Sequence, residues 1–380
     1  MRNSLRRKLA IAGLTLAGFA LAQEAPLPSG SVAINVAKDS PLAVLGMSTE
    51  QSRTAARGAA MVIDLHMSLT MRNTTANRIH GVTLRVVSQE VTMGGKGSVT
   101  IPSLNIAPGE VFPVRIDMQL VRPTQVSGGQ LVQVDVDGVL YHDLTFYGPD
   151  SLHSRRYMTA CELEARRDRE YFKRELANGV EKLREAMRGS LQRQQDLPSL
   201  SVRVRRGPTV SSAGLAPEHP EKFAFLQIPD SPVEPVAGSA QIAGNEARAP
   251  QIELRNRSSK AVKYVEFGWL VSDQSGKQYM AGGLPYSASD LMLAPGQKAS
   301  QLQKSTLSFT SNNQPVRLQN MTGFVSQVEF ADGTMWVPSR ESLERPALAK
   351  ALAPSAEEQR LSDIYRRKGI NALIEELKKF

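Results

Sequence analysis

Residues 63–71 read Ile-Asp-Leu-His-Met-Ser-Leu-Thr-Met, so apolar and polar side chains alternate without interruption. Because successive side chains of a β-strand point to opposite faces, this pattern predicts a strand with one face in a core and one face in water. Asn73-Thr74-Thr75 ends the strand. The alternation recurs in residues 82–86, 114–120 and 132–136, which predicts antiparallel β structure.

The pattern of this segment occurs a second time in the chain. Leu69-Thr70-Met71-Arg72-Asn73 aligns with Ile252-Glu253-Leu254-Arg255-Asn256, and Leu104-Asn105-Ile106-Ala107-Pro108-Gly109-Glu110 aligns with Leu291-Met292-Leu293-Ala294-Pro295-Gly296-Gln297. Apolar residues of the intervening strand align as well: Val82, Leu84 and Val86 with Val265, Phe267 and Trp269. The offset grows along the chain, as it does when strands are kept and loops lengthen. These matches predict a duplicated domain.

A late turn completes each copy. Val134-Asp135-Val136-Asp137-Gly138 matches Val328-Glu329-Phe330-Ala331-Asp332-Gly333 with one inserted residue. An Asp-Gly pair between apolar alternations favours a type I′ hairpin, because both central residues take positive φ. We therefore expect the two Asp-Gly pairs to form equivalent hairpins. Short strands bounded by turns, without a helical period, predict a β-sandwich for each copy.

The two copies resemble a known group of domains. A strand that ends in Asn, an alternating strand, a Leu-x-Ile/Leu-Ala-Pro-Gly-Glu/Gln turn and a late Asp-Gly hairpin are similar to bacterial extracytoplasmic immunoglobulin-like domains of the CARDB and FxLYD type. The resemblance covers residues 58–148 and 248–338. It implies an adhesive, spacer or docking role and supplies no catalytic residues.

The N-terminus has the organisation of a secretory signal peptide. Arg2, Arg6, Arg7 and Lys8 precede an apolar run over residues 9–21, and Ala20-Leu21-Ala22 supplies small residues before Gln23. We expect cleavage near Ala22-Gln23 and a periplasmic or secreted protein with no transmembrane segment after signal removal. The sequence leaves open periplasm or outer surface, and Sec or twin-arginine export.

Composition narrows the function classes. The formal charge is +9, and the four cations of the leader leave a mild excess without a basic cluster, which argues against nucleic acid as a partner. The single cysteine, Cys161, excludes an internal disulfide.

A charged segment without proline separates the two copies. Its apolar residues recur at steps of four and three and predict one long amphipathic helix with a solvated, ion-paired charged face: Phe172, Leu176, Val180, Leu183, Met187 and Leu191. Pro198 ends this helix. The following residues are rich in Pro, Ser, Ala and Gly, which predicts an irregular linker.

The C-terminal tail carries a second apolar stripe. Its members are the candidates for docking on the second sandwich or on an external partner: Leu361, Ile364, Tyr365, Ile370, Leu373, Ile374, Leu377 and Phe380. Lys368-Gly369 marks a helix end between two amphipathic helices. A tail floating free would leave this stripe in water, so we expect it to dock.

No residue pattern marks a catalytic, metal or cofactor site. The five histidines lack metal-binding spacing, and no Gly-x-Ser-x-Gly elbow is present. Asp135 and Asp137 share a predicted strand face but lie near the turn, and Cys161 is expected to be a small buried residue. Carbohydrate could stack on exposed aromatics such as Trp269 and Tyr286.

The sequence thus predicts a mainly β chain with two immunoglobulin-like β-sandwich domains joined by a long amphipathic helix. The expected parts are a signal peptide (1–22), an N-terminal extension (23–57), a first sandwich (58–150), a helical connector (151–197), an irregular linker (198–247), a second sandwich (248–340) and a linker with C-terminal amphipathic helices (341–380). The expected function is an exported, non-catalytic binding or scaffold protein whose partner is a protein or an envelope polymer. A carbohydrate-binding or adhesion protein is the alternative, and an unrecognised enzyme comes third.

The signal peptide generates a direct prediction. Chemical N-terminal sequencing of the protein isolated from its producing cell should begin at or near Gln23, because the small residues at Ala20 and Ala22 fit the signal-peptidase site. A chain that still begins at Met1 would contradict the predicted export.

Overall fold

The computed structural model describes residues 24–28, 30–124, 129–196, 198–206, 218–287 and 289–380. This part of the chain is mainly β, as the alternation predicts. The predicted signal peptide and residues 207–217 of the predicted linker lie outside the described residues. No helix in the described ranges combines the length and the apolar composition needed to cross a membrane.

Strands and helices follow one another along the chain in four groups. The first strands are β1 (Glu24–Pro26), β2 (Val32–Asn35), β3 (Leu42–Ser48), β4 (Arg53–Arg57), β5 (Ala60–Asn73), β6 (Ile79–Val87), β7 (Lys96–Ile101), β8 (Val111–Pro123), β9 (Val132–Tyr141) and β10 (Phe146–Tyr147). Helices α1 (Ser154–Ala177) and α2 (Val180–Asp196) come next. The later strands are β11 (Ser199–Arg206), β12 (His219–Lys222), β13 (Ala224–Phe225), β14 (Val233–Ala243), β15 (Glu246–Asn256), β16 (Val262–Asp273), β17 (Gln278–Pro285), β18 (Lys298–Leu302), β19 (Ser305–Ser311), β20 (Gln314–Pro315), β21 (Leu318–Phe330) and β22 (Met335–Trp336). The last helices are α3 (Arg340–Leu343), α4 (Pro346–Ala351) and α5 (Ala356–Leu377).

The chain forms two compact units. The first contains the described residues up to Thr74 together with Leu84–Val99 and Gly109–Val136. The second contains Thr75–Thr83, Thr100–Pro108 and Asp137–Phe380. Strands β6, β7 and β9 each have residues in both units.

Strand β5 organises the first unit. It pairs antiparallel with β8 along its length and with β4 and β3 on its other edge. The apolar residues of the alternating segment are buried, with Ile63, Leu65 and Leu69 at 0% exposure. Burial of each such side chain stabilises the fold by about 1.5–3 kcal/mol. The alternation of apolar and polar residues therefore determines which face of this strand is buried.

The Asn-ended strand and the Ala-Pro-Gly turn are bonded alike in both copies. The backbone N–H of Gly109 donates to the carbonyl of Asn73 over 3.0 Å, and that of Gly296 donates to the carbonyl of Asn256 over 3.0 Å. The two glycines take φ of 75° and 74°, a left-handed conformation that favours glycine. The internal geometry of the repeat is therefore reproduced at these positions.

The expected equivalence of the two Asp-Gly pairs is wrong. Asp137 and Gly138 lie inside β9, whereas Asp332-Gly333 forms the turn between β21 and β22. Gly138 is required by a close approach and not by a turn, since a Cβ there would lie 2.3 Å from the Phe146 ring. Asp137 is buried and does not belong to the turn.

The equivalent turns are Asp143-Leu144-Thr145 and Asp332-Gly333-Thr334. In each, the aspartate Oδ1 accepts hydrogen bonds from the threonine backbone N–H, over 3.0 Å and 2.9 Å, and from the threonine hydroxyl, over 2.6 Å. Leu144 takes φ of 67° where Gly333 takes 80°. A leucine in the left-handed region concealed the match, because sequence rules assign that position to glycine.

The sheets of the second unit are built around β15, β16 and β21. Strand β16 pairs with β17 and β21, and β15 pairs with β14, β18 and β19. Apolar residues of these strands, together with Tyr286 after β17, form one buried cluster that includes Phe267, Trp269 and Phe309.

The range predicted as an irregular linker contains strands β11, β12, β13 and β14. Strand β14 pairs with β15 despite its Pro and Gly content, because register shifts occur between Pro235 and Ala237 and between Ser239 and Gln241. Proline cannot donate to the ladder and is tolerated at such irregularities. Composition alone therefore hid a paired strand.

The predicted single connector helix is two helices. Helix α1 ends at Ala177, and Gly179 takes φ of 124° before α2 begins at Val180. The backbone N–H of Gly179 donates to Leu176 over 3.0 Å, which satisfies one carbonyl of the helix end. A residue with positive φ cannot continue a right-handed helix, so α1 and α2 are separate helices.

The apolar stripe of the tail packs on α1 and α2. Leu361, Leu373 and Leu377 are fully buried against Phe172, Leu183 and Met187. The remaining members of the stripe are half-buried in the same cluster: Ile364, Tyr365, Ile370 and Ile374. Helix α5 breaks at Gly369, as Lys368-Gly369 predicts, with φ of 81°.

The last residue of the chain adds a contact to this helical cluster. The Phe380 ring lies 4.0 Å from the guanidinium of Arg169 on α1. Every candidate docking residue of the tail is thus accounted for within the second unit, on the helices and not on the strands of the second copy.

Replacing Leu373 by alanine should lower the free energy of unfolding by about 2–5 kcal/mol, because it opens a cavity in this cluster. Leu302→Ala is the matched control, since Leu302 is 51% exposed and its truncation leaves no cavity. Urea unfolding of both variants checks this. Equal urea midpoints for the two variants would mean that the tail is not packed on α1 and α2.

Candidate functional site

A cavity of about 710 Å³ lies in the second unit, and we call it the helix–sheet cavity. Strands β16, β17 and β21 supply its floor, and helices α1, α2, α3, α4 and the start of α5 contribute to its wall. Its volume falls within the range of pockets that hold small organic ligands.

The floor of the cavity is irregular. The pairing of β16 with β17 shifts between Phe267 and Trp269, leaving Gly268 opposite Gly282 and Gly283. The pairing of β16 with β21 also shifts, beside Ser326. Irregularities of this kind redirect side chains and are frequent beside binding and active sites. A Cβ on Gly282 would meet no heavy atom within 4 Å, so this glycine borders open space.

Glu266 of β16 is a hydrogen-bonded carboxylate at the floor. Its Oε2 accepts from the hydroxyl of Tyr264 and from Nε2 of Gln327, both over 2.8 Å. Gly283 gives the carboxylate room, because a Cβ there would lie 1.8 Å from Oε1. Burial raises the pKa of Glu266 above its usual range, and the two hydrogen bonds act against that shift.

Glu164 of α1 is a carboxylate of a different kind. Within the described part of the chain it has no hydrogen bond or ion pair, and it lies half-buried on the cavity wall. Burial raises the pKa of Glu164 to about 7, and the charges of Asp168 and Glu266 add to this shift while Arg167 opposes it. Among the described residues, the cavity thus contains a carboxylate on which the charge of Arg167 acts but which has no direct hydrogen-bond or ion-pair partner.

Two arginines also line the cavity, and both have acidic partners. Arg167 donates to the two oxygens of Asp168, over 2.9 Å and 2.8 Å. Arg193 donates to Glu358. These bidentate and charge-assisted contacts occupy the guanidinium groups.

The thiol near the cavity is not an activated nucleophile. Burial raises the pKa of Cys161 to about 12, and the charge of Glu164 acts in the same direction. A thiol with such a pKa stays protonated at neutral pH, and the thiol is a poor nucleophile. Cys161 was expected to be a small buried residue, and the structure shows it partly exposed.

The charged face of α1 is not the solvated surface that the sequence predicts. Glu162 is 0% exposed and accepts from Nε of Arg166 over 2.9 Å and from Nη2 of Arg169 over 2.8 Å. Nδ1 of the buried His80 lies 2.8 Å from the same oxygen. The charges of this face are ion-paired as predicted, but the prediction of solvation was wrong for this part of α1, because the helix is packed on more than its apolar side.

The two aspartates considered as a paired site have separate structural roles. Asp135 accepts from Asn35 over 3.0 Å and from Gln133 over 2.9 Å in the first unit. Asp137 accepts from the backbone N–H groups of Ser151 over 3.0 Å and Leu152 over 3.1 Å in the second unit, ahead of α1. Both carboxylates are engaged in fixing loops and strands.

The aromatic residues considered for sugar stacking are largely internal. Trp269 and Tyr286 are buried in the core of the second unit, at 2% and 1% exposure. The Tyr286 hydroxyl donates to the carbonyl of Ala299 over 3.1 Å. These rings stabilise the sheets and offer no face to a ligand.

Comparison with known proteins adds little to this geometry. No family model and no curated protein matches the chain. Among solved structures, the chain is similar to the putative ApaA protein from Bordetella pertussis, with 12% sequence identity and a TM-score of 0.18. This match covers 37% of this chain and 88% of the ApaA chain. The chain is also similar to red sea bream transglutaminase, with 9% sequence identity and a TM-score of 0.13. This match covers 79% of this chain and 31% of the transglutaminase chain. At these scores neither resemblance bears on fold or function.

Glu164→Gln should stabilise the protein at high pH. The folded-state pKa of about 7 exceeds the ordinary value of 4.5, so the folded chain holds this proton more tightly than the unfolded chain. Ionisation of Glu164 therefore lowers the free energy of unfolding as pH rises from about 4.5 to about 7. The free energy of unfolding of the variant should exceed that of the wild type by at most about 3 kcal/mol at pH 8 and should equal it at pH 4.

Glu170→Gln is the control, because Glu170 is exposed on the same helix. Urea unfolding at the two pH values measures the difference. A variant no more stable than the wild type at pH 8 would contradict an unpaired Glu164 in the cavity wall.

Proposed function

We propose that the chain is an exported, non-catalytic binding protein of the cell envelope, and that the helix–sheet cavity is its binding site. The observation that carries the proposal is the unpaired carboxylate of Glu164 on the wall of a cavity of about 710 Å³. A buried charge without a partner costs stability, and such perturbed groups in clefts are concentrated at functional sites.

The two-domain organisation belongs to the same proposal. The strands of the first copy pair as β3-β5-β8 and as β7-β6-β9-β10, and those of the second pair as β14-β15-β18 and as β17-β16-β21-β22. This correspondence supports two immunoglobulin-like sandwich domains of the CARDB and FxLYD type. Such domains are used for docking, which agrees with a binding role.

A non-catalytic role is supported by the state of the groups near the cavity. Cys161 is protonated at neutral pH, and both arginines of the wall are bonded to carboxylates. The remaining polar groups can hold a ligand in place, which is what binding requires.

The tail has a supporting role in this proposal. Because its apolar stripe is packed on α1 and α2, the tail is not proposed as a separate docking surface. Instead it brings Ser355, Glu358 and Gln359 to the cavity wall. The partner is therefore expected at the cavity and is a compound small enough to enter it.

Filling the cavity tests the proposal. Gly282→Trp should abolish binding, since Gly282 lines the cavity and its Cβ would point into open space. Gly189→Trp is the control, because Gly189 of α2 also borders open space but is outside the cavity lining. Native mass spectrometry of protein isolated from the producing cell should show a small-molecule adduct in the wild type and in Gly189→Trp.

The adduct should be missing from Gly282→Trp if the cavity is the binding site. An adduct that persists in Gly282→Trp, or a wild-type protein without any adduct, would contradict the proposed function.

A further inference from the structure

We infer that the helix–sheet cavity binds an apolar compound carrying one ammonium group, with Glu164 as its countercharge and Glu266 as a neighbouring hydrogen-bond acceptor. This inference rests on the proposed function and names the ligand class for the same cavity.

The charge of the ligand follows from the pairing of the groups around the cavity. Arg167 and Arg193 already have carboxylate partners, Asp168 and Glu358. Glu164 has none within the described residues. A cation is the ligand that compensates this carboxylate, whereas an anion would have to displace a charge-assisted bond from an arginine.

The apolar body of the ligand follows from the rest of the lining. Leu200, Met280 and Phe324 face the cavity from the strands, and Leu343, Leu348 and Leu352 face it from the helical side. Phe324, Leu348 and Leu352 are buried in one apolar cluster. Such walls favour hydrocarbon, and each buried methylene group contributes roughly 0.8 kcal/mol in general.

The floor limits the ligand to an organic monocation. Oε2 of Glu266 already accepts two hydrogen bonds, so this carboxylate has partners of its own and Glu164 is left as the carboxylate that one ammonium group would pair. A divalent metal ion needs several converging ligands, and the described ranges contain no group of three or more His, Cys, Asp or Glu residues suited to one. Gly282 leaves backbone space for the ammonium group to approach, since a Cβ there would meet no heavy atom within 4 Å.

The test compares two probes with the same eight-carbon chain, one with a charged ammonium group and one with an uncharged hydroxyl group. The full-length mature protein is titrated by isothermal calorimetry at pH 8 with n-octylammonium chloride and with 1-octanol. The ammonium probe should bind the wild type more tightly than the alcohol. Glu164→Gln should weaken octylammonium binding by about 10- to 100-fold and leave octanol binding unchanged, as expected for loss of a charge-assisted bond.

The matched control is Glu170→Gln, which removes an exposed glutamate from the same helix and should keep wild-type affinity for both probes. Urea unfolding of each variant confirms that it is folded. Equal affinities for octylammonium and octanol, or an unchanged octylammonium affinity in Glu164→Gln, would overturn the inferred ligand class and leave the cavity as a binding site for uncharged compounds. Failure of octylammonium to bind the wild type would also overturn the inference. It would not decide the proposed function, which the adduct experiment with Gly282→Trp tests independently.

Discussion

The helical wall of the cavity is held together by one buried carboxylate, Asp168. Its oxygens accept from Arg167 on α1, from the Ser355 hydroxyl over 2.6 Å, and from Arg340 of α3 over 3.4 Å. Ser355 is also the N-cap of α5, so a single side chain joins three helices. Burial alone would raise the pKa of Asp168, but these donors outweigh burial and hold it below its usual range. Asp168 therefore remains charged and joins these helices beside the cavity.

Asp168 and Glu164 lie one helical turn apart on α1, but they differ in whether the protein supplies donors to the carboxylate. Asp168 is fully buried and has a donor for each oxygen, which is the condition under which a buried charge is tolerated. Glu164 lies in the same region and has no such donor among the residues described. Packing cannot explain why a carboxylate is kept at Glu164, since an uncharged side chain would be more stable there. The ligand that we propose would supply a direct partner for this carboxylate.

The sequence predicts the strands well and the site poorly, for a physical reason. Alternation between buried and exposed positions is a local property, so residues 63–71 reveal the strand and its buried face. The late turn was misplaced because Leu144 takes a left-handed conformation that only the surrounding turn enforces. Glu164 was hidden among the many charged residues of α1, since sequence periodicity does not show which charge will find a partner. Glu266 gave a weak signal as a single acidic residue within an apolar strand.

The location of the cavity is explained by a difference between the two copies. In the alignment that pairs Leu84 with Phe267, Glu266 corresponds to Thr83. Thr83 is fully buried, and its hydroxyl lies 3.1 Å from that of Thr100 and 3.7 Å from Sδ of Met158 on α1. A threonine at this position lets α1 pack directly on the strand, whereas Glu266 needs hydrogen-bonding partners and space beside it. The same strand position therefore serves packing in the first copy and borders the cavity in the second, which indicates that the site belongs to the second copy together with the helices that flank it.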